Sequence, residues 1–509
     1  MCTDNKSEHS TDDDSEISEK DTSYQPLKPT RTKEKKWMRK GLLAQTLVTS
    51  AVMLSSASCG MPVGYSAILL PQLKITNDTM QIDEEIGSWI ASIHSAATPF
   101  GSLLSGVLMD RCGRKLALQI ASMPLILGWI LIGFASNHGV LLLGRLVAGI
   151  SAGLTAAAGQ VLIGEISEPH LRGIFSSVPF ASYSFGILLV YAMGSYWQWR
   201  IVAGLCTVLP LVSILSFVFL PESPVWLTRH NKTESAKKAL LWLRGGNNNQ
   251  AVKEAEHLIE RMKQEKLHES KTAMQSFFNA EVFKPYLIIN IFNILQVLSG
   301  TYLIVFYAVD ILSHIKGNSL NHFLAAVLTA GTRFIFSIIS SIFLAVMGRR
   351  TLALSSGIGT SLAALCLAVL LFQDCSTNGY VSAVVILVYV ATNTVGFMIL
   401  PGVMLAELFP AKVRGLAGGL TFMTFNLVLF VVAKVFPLFK ATVGVSGVFC
   451  LFGTSSLLAS FFLYLMLPET KGKSLSQIED YFQQKNYLWI TRNKKMEKKT
   501  ENETEKLAV

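Results

Sequence analysis

Glu165 with Arg172-Gly173 recurs 242 residues later as Glu407 with Arg414-Gly415. Gly113-Arg114-Lys115 recurs after 235 residues as Gly348-Arg349-Arg350, and Pro221-Glu222-Ser223 after 247 residues as Pro468-Glu469-Thr470. Each motif sits at the end of an apolar run, where a carboxylate and a guanidinium can bridge and part as two bodies close and open. Such a gate would comprise Asp110, Arg111, Arg114, Glu165, Arg172 and Glu222 in one copy and Arg349, Arg350, Glu407, Arg414 and Glu469 in the other. Interfacial charge that merely sets topology is the plainer reading of any one loop. A different chemistry is offered by Asn290, Asn293, Gln296 and Ser299-Gly300, which fall on one helical stripe of an otherwise apolar run. Polar side chains at membrane depth face a watery cavity or a partner helix, and amides, which donate and accept, suit a hydroxyl-rich ligand.

These motifs need long apolar elements to hold them. The chain has 509 residues, 51% hydrophobic and 15% charged, with mean hydropathy +0.43. Soluble domains carry about 25% charge, so the composition points to a membrane protein. Runs of roughly 18 or more apolar residues can cross hydrocarbon as helices. Twelve candidates lie at about 42–70, 86–109, 116–135, 139–163, 173–195, 199–220, 284–312, 322–345, 351–372, 380–405, 416–439 and 444–467. The near-constant repeat offset divides them into two sets of six. The fold expected is all-α: twelve transmembrane helices in two pseudo-symmetric six-helix halves around a central cavity. Residues 1–40 read as a disordered tail, 41–220 as the N-terminal half and 221–283 as a linker of short amphipathic helices. Residues 284–467 read as the C-terminal half and 468–509 as a charged tail.

The net charge of +10 invites a nucleic-acid reading, but its placement excludes one. Lys and Arg gather before the first run, in alternate loops and in the C-terminal tail. By the positive-inside rule both termini are then cytoplasmic, and the basic residues face anionic membrane lipid. No signal peptide precedes the first run, so it must act as its own insertion signal. Seven cysteines without metal spacing read as small packed apolar residues. Asn77-Asp78-Thr79 is a glycosylation candidate in the first outer loop. His94 is expected to hydrogen-bond a neighbouring helix.

The motifs together resemble the sugar porter family of the major facilitator superfamily. The resemblance is carried by Asp110-Arg111-x-Gly113-Arg114-Lys115, Gly144-Arg145, Glu165…Arg172-Gly173 and Pro221-Glu222-Ser223-Pro224-Val225-Trp226-Leu227. In the second half it rests on Gly348-Arg349-Arg350, Glu407…Arg414-Gly415 and Pro468-Glu469-Thr470-Lys471-Gly472. Gly64–Leu73 and Ser88-Trp89-Ile90-Ala91-Ser92 are similar to the insect branch of facilitated trehalose transporters. The resemblance implies a carrier of sugars down their gradient, with Gln296, Ser299, Gly300, Asn293, Ser184 and Gly402 around the sugar. It implies Phe306-Tyr307 as an aromatic outer gate and the charged clusters as the inner gate.

Departures from the family pattern concentrate in the pocket. Val297 replaces the second Gln of a Gln-Gln pair, Tyr302 an Asn, Ser184 a Gln and Gly402 a Trp. Val225 replaces an Arg, and Ala345 an acid. Where proton-coupled relatives carry an Asp in the first span, Ser66 stands here, which favours facilitated diffusion. Arg333 lies fifteen residues before Gly348, about 22 Å along a helix. It either pairs with backbone carbonyls or snorkels, or else attracts an anionic substrate; Lys434 raises the same question. The function expected is uniport of trehalose or a hexose across the plasma membrane, for which a monomer suffices. An organic-anion or polyol carrier and a non-transporting sugar sensor are the rivals. With no nucleophile–base pair, metal-ligand spacing or phosphate-binding glycine loop in the sequence, neither an enzyme nor a cofactor is expected.

Overall fold

The computed structural model describes residues 31–75, 80–267, 280–313, 322–373, 379–409, 413–471, 478 and 481–482. The sequon at Asn77 lies outside the described residues. With no water in the bilayer core, a crossing segment must bond its own N–H and C=O groups, and the apolar runs do so as helices. The first half contains α1 (Arg31–Ile75), α2 (Glu84–Cys112), α3 (Arg114–Gly133), α4 (His138–Ile166), α5 (Pro169–Gly194), α6 (Trp199–Cys206) and α7 (Val208–Val218). Three short helices follow: α8 (Pro224–Arg229), α9 (Thr233–Leu243) and α10 (Asn248–Leu267). The second half contains α11 (Ala280–Leu298), α12 (Leu303–Phe306), α13 (Ala308–Ser313), α14 (His322–Val346) and α15 (Arg349–Phe372). It continues with α16 (Gly379–Asn393), a π-turn at Thr394–Met398, α17 (Leu400–Leu408) and α18 (Arg414–Met466).

Among the described residues, nine helices are long and apolar enough to cross a membrane. One of the nine is α18, whose helical backbone is broken into two lengths at Gly444 (φ 73°). Beyond the nine, α2 is a 29-residue helix made polar by Ser88, Ser92, His94, Ser95 and Thr98 among its buried residues. Also beyond them is α11, whose helix stops at Leu298 before Gly300 (φ 82°) and resumes as α12 and α13.

One face of the bundle carries the paired motifs and the linker helices; we call it the basic face. Arg244 fixes the linker there. Its guanidinium meets Glu254 at 2.9 Å and donates to the Ile166 carbonyl at 3.1 Å, at the end of α4. Across the bundle the halves meet where α2 packs on α18 and α5 on α14. Toward the face opposite the basic one, a single apolar cluster joins both halves, running from Leu69, Trp129 and Tyr191 to Phe306, Tyr389 and Phe436. Toward the basic face the core divides. One cluster holds Met109, Ala117, Leu162 and Ile166 of the first half, and another holds Leu344, Leu408, Val413 and Leu467 of the second. The halves are therefore joined at one end and separately packed at the other.

Within the first half, small residues let helices approach to backbone contact, as membrane bundles require when lipid competes for apolar side chains. A Cβ at Gly153 of α4 would lie 2.7 Å from the Ser102 amide nitrogen of α2, and one at Gly101 would lie 2.9 Å from the Leu154 nitrogen. Gly106, one turn along α2, has nothing within 4 Å of such a Cβ. Gly153→Leu is therefore expected to destabilise the detergent-solubilised protein by about 1–3 kcal/mol or more, read as a lowered melting temperature. Gly106→Leu should melt with the wild type; equal shifts for the two would show that this helix contact is not tight.

Candidate functional site

The central polar region is built on two interrupted helices. α11 ends at Leu298, and Ser299 through Tyr302 form a turn before α12. The chain at Thr394–Met398 takes a π-turn. Both interruptions loosen backbone groups that hydrocarbon would leave unbonded, and polar side chains bind them. Gln296 Nε2 donates to the Phe397 carbonyl at 2.6 Å, and Ser340 Oγ to the Val395 carbonyl at 2.5 Å. Ser356 Oγ donates to the Thr392 carbonyl at 2.7 Å and accepts from the Gly396 and Phe397 amides at 3.1 Å. On the other break, Ser299 Oγ donates to the Gln296 carbonyl at 2.7 Å, and the Tyr389 hydroxyl bonds the Ser299 carbonyl. Asn393 Nδ2 reaches Ser299 Oγ at 3.4 Å, while its buried Oδ1 has no partner among the described residues.

The structure thus brings Gln296, Ser299 and Gly300 together, but in contact with protein: Gln296 is 2% exposed and Ser299 fully buried. Asn293 is buried on the same helix, and Asn290 spends its amide on the Tyr286 carbonyl one turn back, at 2.8 Å. Ser184 is fully buried and donates to its own helix at Phe180. Gly402 is exposed, and a Cβ there would lie 2.6 Å from the Phe180 ring of the other half. Tyr389, Asn393, Thr301, Phe180 and Ser356 were not singled out by the sequence reading. For Tyr389 and Asn393 the signal was present: polar groups in the apolar run 380–405, as diagnostic there as in α11.

Two arginines are buried in the spans. Arg145 of α4 is fully buried, donating to Ser66 Oγ at 2.5 Å and the Pro62 carbonyl at 3.0 Å of α1. Arg333 of α14 is 2% exposed and donates to the Thr301 carbonyl at 2.6 Å, in the α11–α12 break, with a contact to Met398 Sδ at 3.3 Å. Arg333 thus pairs with a backbone carbonyl and does not snorkel. His94 differs from expectation: its Nε2 is buried without a partner among the described residues, because its helix meets Gly149 by its backbone. Lys434 is not in the interior. Near the end of its span it donates to Ser88 Oγ at 2.7 Å and lies 4.2 Å from the Trp89 ring centroid, tying the halves at the face opposite the basic one. Phe306 and Tyr307 are buried at that face. Tyr307 stacks on Phe436 and donates to the Ala433 carbonyl at 3.0 Å. The adjacent Val305 carbonyl takes the Tyr191 hydroxyl of the first half at 2.5 Å.

At the basic face the repeated motifs become two copies of one cluster. In the first, Arg114 Nε meets Glu165 at 3.0 Å, and Ser223 Oγ donates to the same carboxylate. Glu222 accepts from the Arg114 and Lys115 amides at 3.0 and 3.1 Å, capping α3. In the second, Arg349 Nη2 meets Glu407 at 2.8 Å, Thr470 Oγ1 donates to Glu407 at 2.5 Å, and Glu469 accepts from the Arg349 and Arg350 amides at 2.9 and 3.1 Å. Asp110 joins Arg114 at 3.6 Å from an exposed position, Arg111 is exposed, and Arg350 donates to the Tyr464 carbonyl at 2.6 Å. The side chains of Arg172 and Arg414 lie outside the described residues. Where the sequence led us to expect bridges between halves, Arg114–Glu165 and Arg349–Glu407 each close within one half. The physical reason is the divided core: the two basic-face ends are packed as separate bodies. Glu222→Ala and Glu469→Ala should each cost about 1–2 kcal/mol of stability by leaving a helix start uncapped, seen in thermal melts. Glu222→Gln, which keeps an acceptor oxygen, should cost less; identical losses would tie the effect to charge instead of capping.

Comparison with known proteins places this geometry. The profile of the "Sugar (and other) transporter" family matches residues 11–482. A facilitated trehalose transporter of Anopheles gambiae is 30% identical over 442 residues, covering 86% of this chain, which spans 55% of that relative's length. A facilitated trehalose transporter of Culex quinquefasciatus is 30% identical over 443 residues, covering 86% of this chain and 85% of its own. Among solved structures, the major facilitator superfamily proton:xylose symporter XylE bound to 6-bromo-6-deoxy-D-glucose overlays with a TM-score of 0.73 at 20% identity, covering 87% of this chain and all of the other. The inward-open XylE of E. coli gives 0.71 at 19% identity, covering 86% and 99%. The fold is that of the major facilitator superfamily, and because the family profile runs through both halves and the linker between them, the chain belongs to the sugar (and other) transporter family.

Proposed function

We propose that this protein is a facilitative sugar carrier of the plasma membrane, moving trehalose or a hexose by alternating access. The observation that carries the reading is the polar region at mid-depth, where Gln296, Ser299, Thr301 and Asn393 gather at paired helix breaks inside an apolar bundle. Hydroxyl-rich ligands need such donors and acceptors, and a bilayer tolerates loosened backbone only beside protein or a cavity. The chain crosses twelve times, counting α2, the α11–α13 segment and both lengths of α18, with the basic face and both termini cytoplasmic. Membrane lipid surrounds it, and one copy holds a complete site.

The arrangement described is closed to the outside. Tyr191 on Val305, Lys434 over Trp89 and the shared apolar cluster seal the face opposite the basic one. Phe306 and Tyr307 are the outer gate and lie within that seal. The charged clusters are the inner gate, acting in two steps. Each first locks the helix ends of its own half into one body, and the two bodies then meet across the basic face when the outside opens. Arg145 rests between a hydroxyl and a carbonyl, neither of which titrates near neutral pH, and this favours facilitated diffusion.

The test is uptake of labelled trehalose and glucose in oocytes at two external pH values, with the membrane polarised and depolarised. Saturable uptake indifferent to both is expected. Gln296→Ala should lower it about tenfold at unchanged surface expression, the worth of one lost hydrogen bond of roughly 1–1.5 kcal/mol. Absence of uptake from a protein that reaches the surface would overturn the carrier reading.

A further inference from the structure

Resting on that carrier reading, the geometry points to a substrate class: we propose that Arg333 makes the carrier accept sugars bearing a carboxylate, such as hexuronates. Arg333 lies eleven residues into the 25-residue α14, about 16 Å from one end and about 20 Å from the other. That is the middle of the hydrocarbon slab, where a charge is expensive and marks a substrate or ion path. Its bonded partners there are neutral, the Thr301 carbonyl and the Met398 sulfur. The groups acting on it electrostatically are the hydroxyls of Tyr302, Tyr191, Tyr389 and Tyr183. Among the described residues no carboxylate acts on it. Across the described residues four arginines are buried, and no Asp or Glu is.

A guanidinium has five N–H donors, and two of those of Arg333 are engaged. A ligand carboxylate could take a further pair in the bidentate geometry that guanidinium favours. The placement suits this. Arg333 binds the α11–α12 break itself, so a carboxylate held there has Ser299 and Thr301 of that break, and Gln296 in the last turn of α11, for the sugar hydroxyls. Tyr183 and Tyr302 are only half-buried, and Tyr183 of the first half packs against the shared cluster and against that of the second half, so the tyrosine cage lies at the border between the halves. A hexuronate would leave one buried cation neutralised during translocation, where a neutral sugar leaves it uncompensated. Arg145 does not offer the same site, since it is sealed between α4 and Ser66 and Pro62 of α1.

The rival is a strut, in which Arg333 does nothing but brace the break of α11. The two differ in what a neutral substitution does to two substrate classes. Uptake of labelled glucuronate, glucose and trehalose is measured for the wild type, Arg333→Gln and Arg333→Lys, normalised to surface expression. The wild type is expected to take up glucuronate saturably and with a current, since net charge moves. Arg333→Gln should lower glucuronate kcat/KM by about tenfold or more, the loss of charge-assisted hydrogen bonds, while neutral-sugar uptake is kept. Arg333→Lys should retain glucuronate uptake at a raised KM. Proportional loss of both classes in Arg333→Gln, or no glucuronate uptake by the wild type, would overturn the inference. Should Arg333→Gln fail to reach the surface, the lysine variant decides: a KM change for glucuronate alone supports the site, and equal changes reject it. Neutral-sugar uptake without glucuronate uptake sinks only this inference, whereas uptake of neither sinks the carrier reading as well.

Discussion

A backbone amide or carbonyl cannot go unbonded in hydrocarbon, and the site depends on that constraint. The helices around the site are interrupted twice, at Gly300 and at Thr394–Met398. Each interruption is closed by side chains from other elements. Gln296 reaches from α11 to the Phe397 carbonyl, Ser340 from α14 to the Val395 carbonyl, and Tyr389 from α16 to the Ser299 carbonyl. Polar groups that would otherwise be costly at this depth are thereby required, and they cross-link α11, α14, α15 and α16. A sugar entering from the basic face would compete with these bonds, replacing a protein acceptor with a hydroxyl. The same groups can therefore serve a closed empty site and an occupied one.

The second constraint is rigidity within each half. A carrier that rocks about its centre needs its halves to move without shearing, so the helix ends farthest from the shared core must be fixed by something other than apolar packing. Arg114–Glu165 and Arg349–Glu407 do this, and Glu222 and Glu469 anchor the starts of α3 and α15. Two-pronged geometry and repeated use of one carboxylate make these stiffer than exposed ion pairs, which contribute little alone. The three motifs that recur once in each half of the sequence are thus one three-dimensional object: guanidinium, carboxylate, and a hydroxyl-bearing loop that returns to the same acid.

The fold class and the doubled architecture were legible because both rest on long-range regularities, apolar run length and a repeat offset that no local context can erase. The polar stripe of α11 was legible for the same reason. What the sequence did not disclose was direction. In sequence Gln296 and Ser299 read as facing a sugar, with bonding to a partner helix as the rival, and the structure has them touching Phe397 and Thr301. The charged motifs were found by residue type, yet type says nothing about whether an arginine closes on its own half or the other; only the division of the core between Leu162 and Leu408 settles that. Lys434 and Trp89 illustrate a further limit. They lie 345 residues apart in the chain, and neither element alone predicts their meeting.

Energy coupling shows how one position bears on the whole cycle. A carrier driven by protons needs a group near the site that changes its charge as the halves rock, and the natural place is beside a buried cation. Arg145 is such a cation, and its partners are the Ser66 hydroxyl and the Pro62 carbonyl. A carboxylate at Ser66 would switch between pairing with Arg145 and taking a proton, linking the two states to pH. A hydroxyl accepts the same hydrogen bond without that second state, so this contact between α1 and α4 has no protonation switch of its own. On the proposed carrier reading, transport would then be driven by the gradient of the substrate, and where the substrate carries charge, also by the membrane potential acting on that charge.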